Sequence, residues 1–111
     1  LTGKRWGRVG DTPVIGAGNY ADGAVAVSCT GTGEQFLRHA VAHSISARVQ
    51  LAGETLAQAA DALVRRTLKP DDGGVIAVDR AGNLVAPFNT EGMYRGLADS
   101  NGRFVVRIFE D

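Results

Sequence analysis

The hydrophobic pattern changes period twice along this chain, and each change dictates which kind of element can form. Ala24-Val-Ala-Val-Ser-Cys29 is a short apolar run with β-branched valines, and Thr30-Gly31-Thr32-Gly33 follows it. Such a run predicts a buried strand entering a turn. Phe36, Leu37, Ala40, Val41, Ile45 and Val49 then recur near i, i+4, i+8, one face of a helix. Thr32 and Gln35 have capping-box spacing at its start, and Gly53 closes it. Leu56, Ala59, Ala60, Leu63 and Val64 predict a second helix over 55–68. Thr55 and Gln58 supply its capping box, and Pro70 with Gly73-Gly74 stops it.

Strand patterning returns at 75–78 and 83–86, on either side of Asp79-Arg-Ala-Gly82, a hairpin connection with glycine where positive φ is expected. Asn101-Gly102 marks another turn, and 104–109 reads as the last strand. Residues 1–20 are glycine-rich with no clean period and predict a long ordered loop, with a short strand at 13–15. Consecutive helices beside antiparallel strands point to an α+β layered fold rather than alternating βαβ units. The whole of 1–111 then reads as a single domain portion.

Charge narrows the function. Twelve basic side chains balance twelve acidic ones, so no strong field draws nucleic acid or a membrane surface. No apolar run approaches the roughly 20 residues of a membrane span, so the expectation is a soluble protein. The 15 glycines cluster in short groups, which fits sharp turns and close backbone approach rather than a disordered linker. Cys29 is the single cysteine and has no partner for an internal disulfide, which fits a reducing, cytoplasmic setting. Leu1 in place of an initiator methionine fits a processed, trimmed or partly recorded chain.

Two loops have the residue types for chemistry. Gly7-Arg-Val-Gly-Asp-Thr-Pro13 places Arg8 three residues before Asp11 between glycines. An α-amino acid head group needs such a pair, a planar donor for its carboxylate and an anion for its ammonium. A solvated turn with two facing charges has the same spacing. Thr30-Gly-Thr-Gly-Glu34 joins strand to helix, where converging N–H groups and the helix N-terminus suit an oxyanion hole or anion cradle. It also fits a plain connection, and it has neither Walker A nor Gly-x-Gly-x-x-Gly spacing. His39 and His43 lie at i, i+4 but without a third metal ligand, and read as a solvated helix flank. Cys29 reads as a small core residue. Asn89-Thr-Glu-Gly-Met-Tyr-Arg95 reads as a polar turn with a structural role.

Taken together, Gly7-Arg-Val-Gly-Asp-Thr-Pro, Gly16-Ala-Gly-x-Tyr-Ala21, Val25-Ala-Val-Ser-Cys-Thr-Gly-Thr-Gly-Glu34 and Pro87-Phe-Asn-Thr-Glu-Gly-Met93 resemble, in order and spacing, the β subunit of plant-type asparaginases/isoaspartyl peptidases. The resemblance covers essentially the whole chain. The Thr-Gly-Thr-Gly-Glu form is closer to this branch than to glycosylasparaginase. The resemblance implies an N-terminal-nucleophile hydrolase with an αββα layered sandwich, of which this is the β-subunit portion. It implies an autocleaved precursor whose new N-terminal threonine attacks the side-chain amide of asparagine or the isopeptide bond of a β-aspartyl dipeptide. Arg8 would then hold the substrate α-carboxylate and Asp11 its ammonium. Thr30 and the Gly31 N–H would stabilise the oxyanion, and Gly33 would line the pocket. No cofactor or metal is implied. The expected partners are the α subunit of the same precursor, the small aspartyl substrate, and a second heterodimer in an (αβ)2 assembly.

The family pattern places the nucleophilic threonine, its supporting threonine and a central strand ahead of the position of Leu1. The expectation is that they belong to polypeptide outside these residues, and that this chain alone turns over no amide. A chain lacking that strand would expose unpaired sheet edges. A module that binds aspartate or asparagine without cleaving it is the alternative. A phosphate site at Thr30 is weaker, since no lysine or magnesium-binding acid sits at workable spacing.

Overall fold

The computed structural model describes residues 3–110. In chain order it forms β1 (Asn19–Ala21), β2 (Val25–Gly31), α1 (Gly33–His39), α2 (Val41–Leu51), α3 (Leu56–Asp61), β3 (Gly73–Asp79), β4 (Leu84–Val85), β5 (Arg95–Ala98) and β6 (Phe104–Arg107). Strands β1-β2-β3-β4 lie in that order in one antiparallel sheet, and β5-β6 form a separate hairpin. The mixed α+β class expected from the pattern is the one observed.

The sheet buries one face because its alternation and register agree. Val25, Val27 and Cys29 of β2 are buried, and Val27 pairs with Ala77 and Cys29 with Val75. Phe36, Val41, Ile45, Leu56, Leu63 and Val64 cover that face from the helices. Each such side chain contributes about 1.5–3 kcal/mol on leaving water. The opposite face is uncovered: Ser28 is exposed and Ile76 keeps 51 % of its surface.

The long first helix predicted from Phe36 to Val49 is two helices. Ala40 takes a left-handed conformation (φ 46°, ψ 52°) and breaks it. Its register could not reveal this, because the break is set by tertiary bonds. The first N–H groups of α2 reach carbonyls of the preceding loop, Ala42 N–H to Ala17 and His43 N–H to Gly16, at 3.1 and 2.9 Å. Thr32 forms no capping box; its N–H instead donates to the Asp72 carbonyl at 2.7 Å. The Thr55–Gln58 box does form, with both reciprocal bonds present. The second helix continues to its expected end, but its last turns widen into a π-helix over Ala62–Thr67.

Strand bounds also moved. Thr30 and Gly31 belong to β2, so Thr32 alone separates strand from helix. The strand expected at 13–15 reduces to a single bridge from Ile15 to Asn19, while β1 forms just after it. The Asp79–Gly82 hairpin is present with Gly82 at φ 84°, and Gly102 turns at φ 88°. The polar segment 89–95 leads directly into β5, a strand that its glycine and charge had masked.

Candidate functional site

The loop carrying Arg8 and Asp11 folds back on β2 through backbone bonds. The Asp11 carbonyl accepts from Val14 N–H and Gly18 N–H, at 2.9 and 3.1 Å. The Gly18 carbonyl in turn accepts from Cys29 N–H at 2.8 Å, one residue before Thr30. Only glycine fits at 18, since a Cβ there would lie 2.4 Å from the Asp11 carbonyl carbon. The Gly16-Ala-Gly motif is therefore a clasp that brings Asp11 beside the end of β2.

Arg8, Asp11, Thr30, Gly31 and Gly33 all line one cavity of about 220 Å³. That is below the roughly 300–1,000 Å³ of pockets for drug-sized ligands, and of a size for an amino acid. A larger hollow of about 370 Å³ lies on the uncovered sheet face, between residues such as Asn19, Ser28, Ile76 and Leu97, but no charged side chain lines it. The smaller cavity, unlike that hollow, is lined by opposite charges, Lys4 and Arg8 with Asp11 and Glu34.

Its two charged residues differ in environment. Asp11 is 5 % exposed, and its Oδ2 has no hydrogen-bond partner. Burial raises its pKa above the usual carboxylate value; its own backbone N–H opposes that shift, and the charge of Glu34 adds to it. A buried carboxylate with one oxygen unpartnered is set to receive a cation. Arg8 is half-exposed and bonds Glu34 Oε1 at 3.4 Å. An exposed pair of that length contributes little, so the guanidinium can turn to an incoming carboxylate.

Thr30 and Gly31 form the opposite wall, held by an unusually close strand crossing. A Cβ on Gly31 would sit 2.0 Å from the Asp72 carbonyl oxygen, and one on Gly73 2.1 Å from that of Thr30. Both glycines have φ near +145°, at 142° and 147°. Contact between these main chains is possible only without side chains.

The cavity also takes in Lys4, Val9, Gly10, Thr12, Glu34 and Leu37, which sequence reasoning did not single out. Glu34 had a signal, as the last residue of the Thr-Gly-Thr-Gly-Glu motif. Leu37 was misleading: its spacing puts it on the apolar helix face, yet it is 43 % exposed and borders the cavity while Phe36 beside it is fully buried. His43 sets its ring edge on Tyr20, with centroids 5.0 Å apart. Among the described residues no group of three or more His, Cys, Asp or Glu side chains could hold a metal ion. Cys29 is a core residue whose thiol is pushed up to about 12, by burial first and by Asp11 second. No helix among the described residues is long and apolar enough to cross a membrane.

The sequence model of a protein family described as asparaginase matches residues 1–108. The chain belongs to that asparaginase family. It is 52 % identical over 98 residues to the isoaspartyl peptidase of Escherichia coli strain K12, covering 86 % of this chain and 30 % of that protein. It is equally similar, 52 % over 98 residues, to the isoaspartyl peptidase of Salmonella typhimurium, with 86 % and 31 % covered. To the plant-type L-asparaginase of Thermococcus kodakarensis it is 42 % identical over 92 residues, with 81 % and 30 % covered. The asparaginase-family chain thus spans about three-tenths of the length of the curated relatives it matches.

Proposed function

We propose that this asparaginase-family chain supplies the substrate head-group site of a hydrolase that cleaves the side-chain amide of L-asparagine and the isopeptide bond of β-aspartyl dipeptides. The observation that carries this reading is the convergence of Arg8, Asp11, Thr30, Gly31 and Gly33 on one cavity of about 220 Å³. Arg8 pairs with the substrate α-carboxylate, and the buried Asp11, whose Oδ2 has no partner, takes its ammonium. With the head group so held, the β-carboxamide is presented to a nucleophile. The Thr30 hydroxyl and the Gly31 N–H receive the negative charge that develops on the carbonyl oxygen.

The nucleophile in this reading is an N-terminal threonine outside these residues, freed by autocleavage of a precursor. Its hydroxyl attacks the carbonyl carbon, and its own amino group takes the proton. The amine or ammonia leaves, and water then cleaves the acyl-enzyme to release aspartate. The uncovered sheet face, with Ile76 half-exposed above an uncharged hollow, supports an αββα sandwich in which the α subunit of the same precursor provides the second sheet. The chain would then be a single domain portion of an (αβ)2 enzyme of the cytoplasm.

The test is release of ammonia from asparagine and of leucine from β-aspartyl-leucine by the complete polypeptide, with intact-mass analysis alongside. Turnover accompanied by a fragment that begins with threonine supports the hydrolase. Saturable aspartate binding without turnover supports a non-catalytic binding module instead. Absence of both eliminates the head-group site.

A further inference from the structure

The Thr30–Gly31 wall does not stand by itself. It leans on the Asp72–Gly73 peptide, which approaches it more closely than any side chain would permit and whose carbonyl accepts the Thr32 N–H at 2.7 Å. What fixes Asp72 and Gly73 therefore fixes the wall. Asp72 bonds Lys69 through both its main chain and its carboxylate, and Gly73 is tied to Asn89, which does not line the cavity.

Asn89 uses every polar group it has to tie this turn to the end of the preceding helix. Its side-chain amide donates to the carbonyls of Val64 and Lys69, both at 2.8 Å, and its Oδ1 accepts from Gly73 N–H at 3.0 Å. Its backbone N–H donates to Gly73 O at 2.9 Å, and its carbonyl accepts from Asp71 N–H at 3.0 Å. The Val64 carbonyl lies within the π-helical stretch, where the widened turns alter which carbonyls the helix itself can satisfy. One side chain thus ties the helix end to the strand start, and the strand start is pressed against Thr30 and Gly31.

We infer that Asn89 is a positioning residue for the Thr30–Gly31 wall, acting through Gly73 and the Asp72 carbonyl. The inference rests on the reading of Thr30 and Gly31 as the oxyanion-stabilising pair. Asp11 is clasped to β2 by a different set of backbone bonds, through Gly18 and Cys29, so its contact with the head group depends less on Asn89 than the wall does. A shift of the wall alone costs transition-state stabilisation and leaves substrate binding intact.

The experiment compares Asn89→Ala, Asn89→Asp and Ser46→Ala in the complete polypeptide, assayed on β-aspartyl-leucine well below each variant's Tm. Ser46→Ala removes a bond from the Ser46 hydroxyl to Asp22, distant in role from the cavity, and serves as the stability control. Asn89→Ala is expected to lower kcat by roughly ten- to hundredfold, the scale on which misplacement by about 1 Å acts, with KM unchanged. Asn89→Asp keeps the shape and the acceptor for Gly73 N–H, so its kcat falls less; it carries the test if the alanine variant does not fold. Ser46→Ala lowers Tm with kcat unchanged. Hydrogen exchange gives a readout independent of activity: Thr32 N–H exchanges at least about tenfold faster in the Asn89 variants than in the parent, while interior N–H groups of α2 do not change. If the parent cleaves no β-aspartyl bond, the proposed function falls and the exchange result alone decides the positioning role. Parental kcat in both Asn89 variants, a rise in KM without a fall in kcat, or unaltered Thr32 exchange would each overturn the inference.

Discussion

A methyl group on Gly33 would stand 3.0 Å from Asp11 Oδ1 and 3.1 Å from the Asp11 backbone nitrogen. The first residue of α1 and the buried carboxylate are therefore in direct register, and the space between them sets where that carboxylate points. Gly33→Ala is expected to push Asp11 from its place, raising KM for β-aspartyl-leucine about tenfold, equivalent to about 1.4 kcal/mol of binding, with a smaller change in kcat. Steady-state kinetics of the complete enzyme measure it, and an unchanged KM would mean the carboxylate has another route to the ligand.

Arg8 and Thr30 should separate in kinetics. If Arg8 partners the substrate carboxylate as proposed, Arg8→Ala raises KM at least about tenfold. If Thr30 donates to the developing charge as proposed, Thr30→Ala lowers kcat about 10²–10³-fold, or about 2.7–4 kcal/mol. The two variants measured side by side give that split.

The raised pKa of Asp11 has a sign that titration can check. Burial, the leading cause, favours the protonated acid, whereas a bound ammonium favours the carboxylate. Ligand binding must then release a proton near the raised pKa, so aspartate affinity falls as pH drops through a value above 3.8. Isothermal titration across acidic pH should show this, and Asp11→Asn should abolish the dependence along with most of the affinity.

The glycine crossing predicts a loss of stability. Gly31→Ala and Gly73→Ala each place a Cβ within 2.0–2.1 Å of a carbonyl oxygen on the opposing strand, at a backbone angle side chains rarely adopt. Each is expected to destabilise the fold by about 3 kcal/mol or more. Denaturant unfolding is the measurement; Gly96→Ala, where a Cβ meets nothing within 4 Å, is the comparison.

Acid should loosen the junction between β1 and α2. The Asp22 carboxylate accepts from the Ser46 hydroxyl, the backbone N–H groups of Ala24 and Val25, and Gln50. The Ser46 bond contributes most to lowering its pKa to about 2. A depressed folded pKa contributes stability above the unfolded value of 3.8, and that contribution is lost as pH falls from there towards about 2. Thermal melts across this window should decline more steeply for the parent than for Asp22→Asn.

Most elements were legible because their periods are local properties. The alternation of β2, the apolar stripes of the helices and the Thr55–Gln58 box all express short-range preferences. The break at Ala40 was not, since alanine favours a helix and only bonds to Gly16 and Ala17 enforce the bend. Strand β5 was hidden because its glycine and arginine carry no apolar alternation, and it is held by pairing with β6. Within the site, Arg8 and Asp11 were visible as a charged pair between glycines, and Thr30 to Gly33 as a turn. Asn89 was visible only as part of a polar segment: nothing in its neighbourhood announces hydrogen bonds to Val64 and Gly73, residues distant in sequence.

The loop behind Asp11 is fastened by its main chain, through carbonyls of Asp11, Gly16, Ala17 and Gly18 and the N–H groups they receive. Its outward side chains, Val14 and Ile15, are 38 % and 79 % exposed and contribute no atoms to those bonds. Replacing those two side chains would leave the fastening bonds intact and the carboxylate where it is. The loop is thus a frame whose position is decided by its backbone, with an outer rim chemically independent of the site it supports.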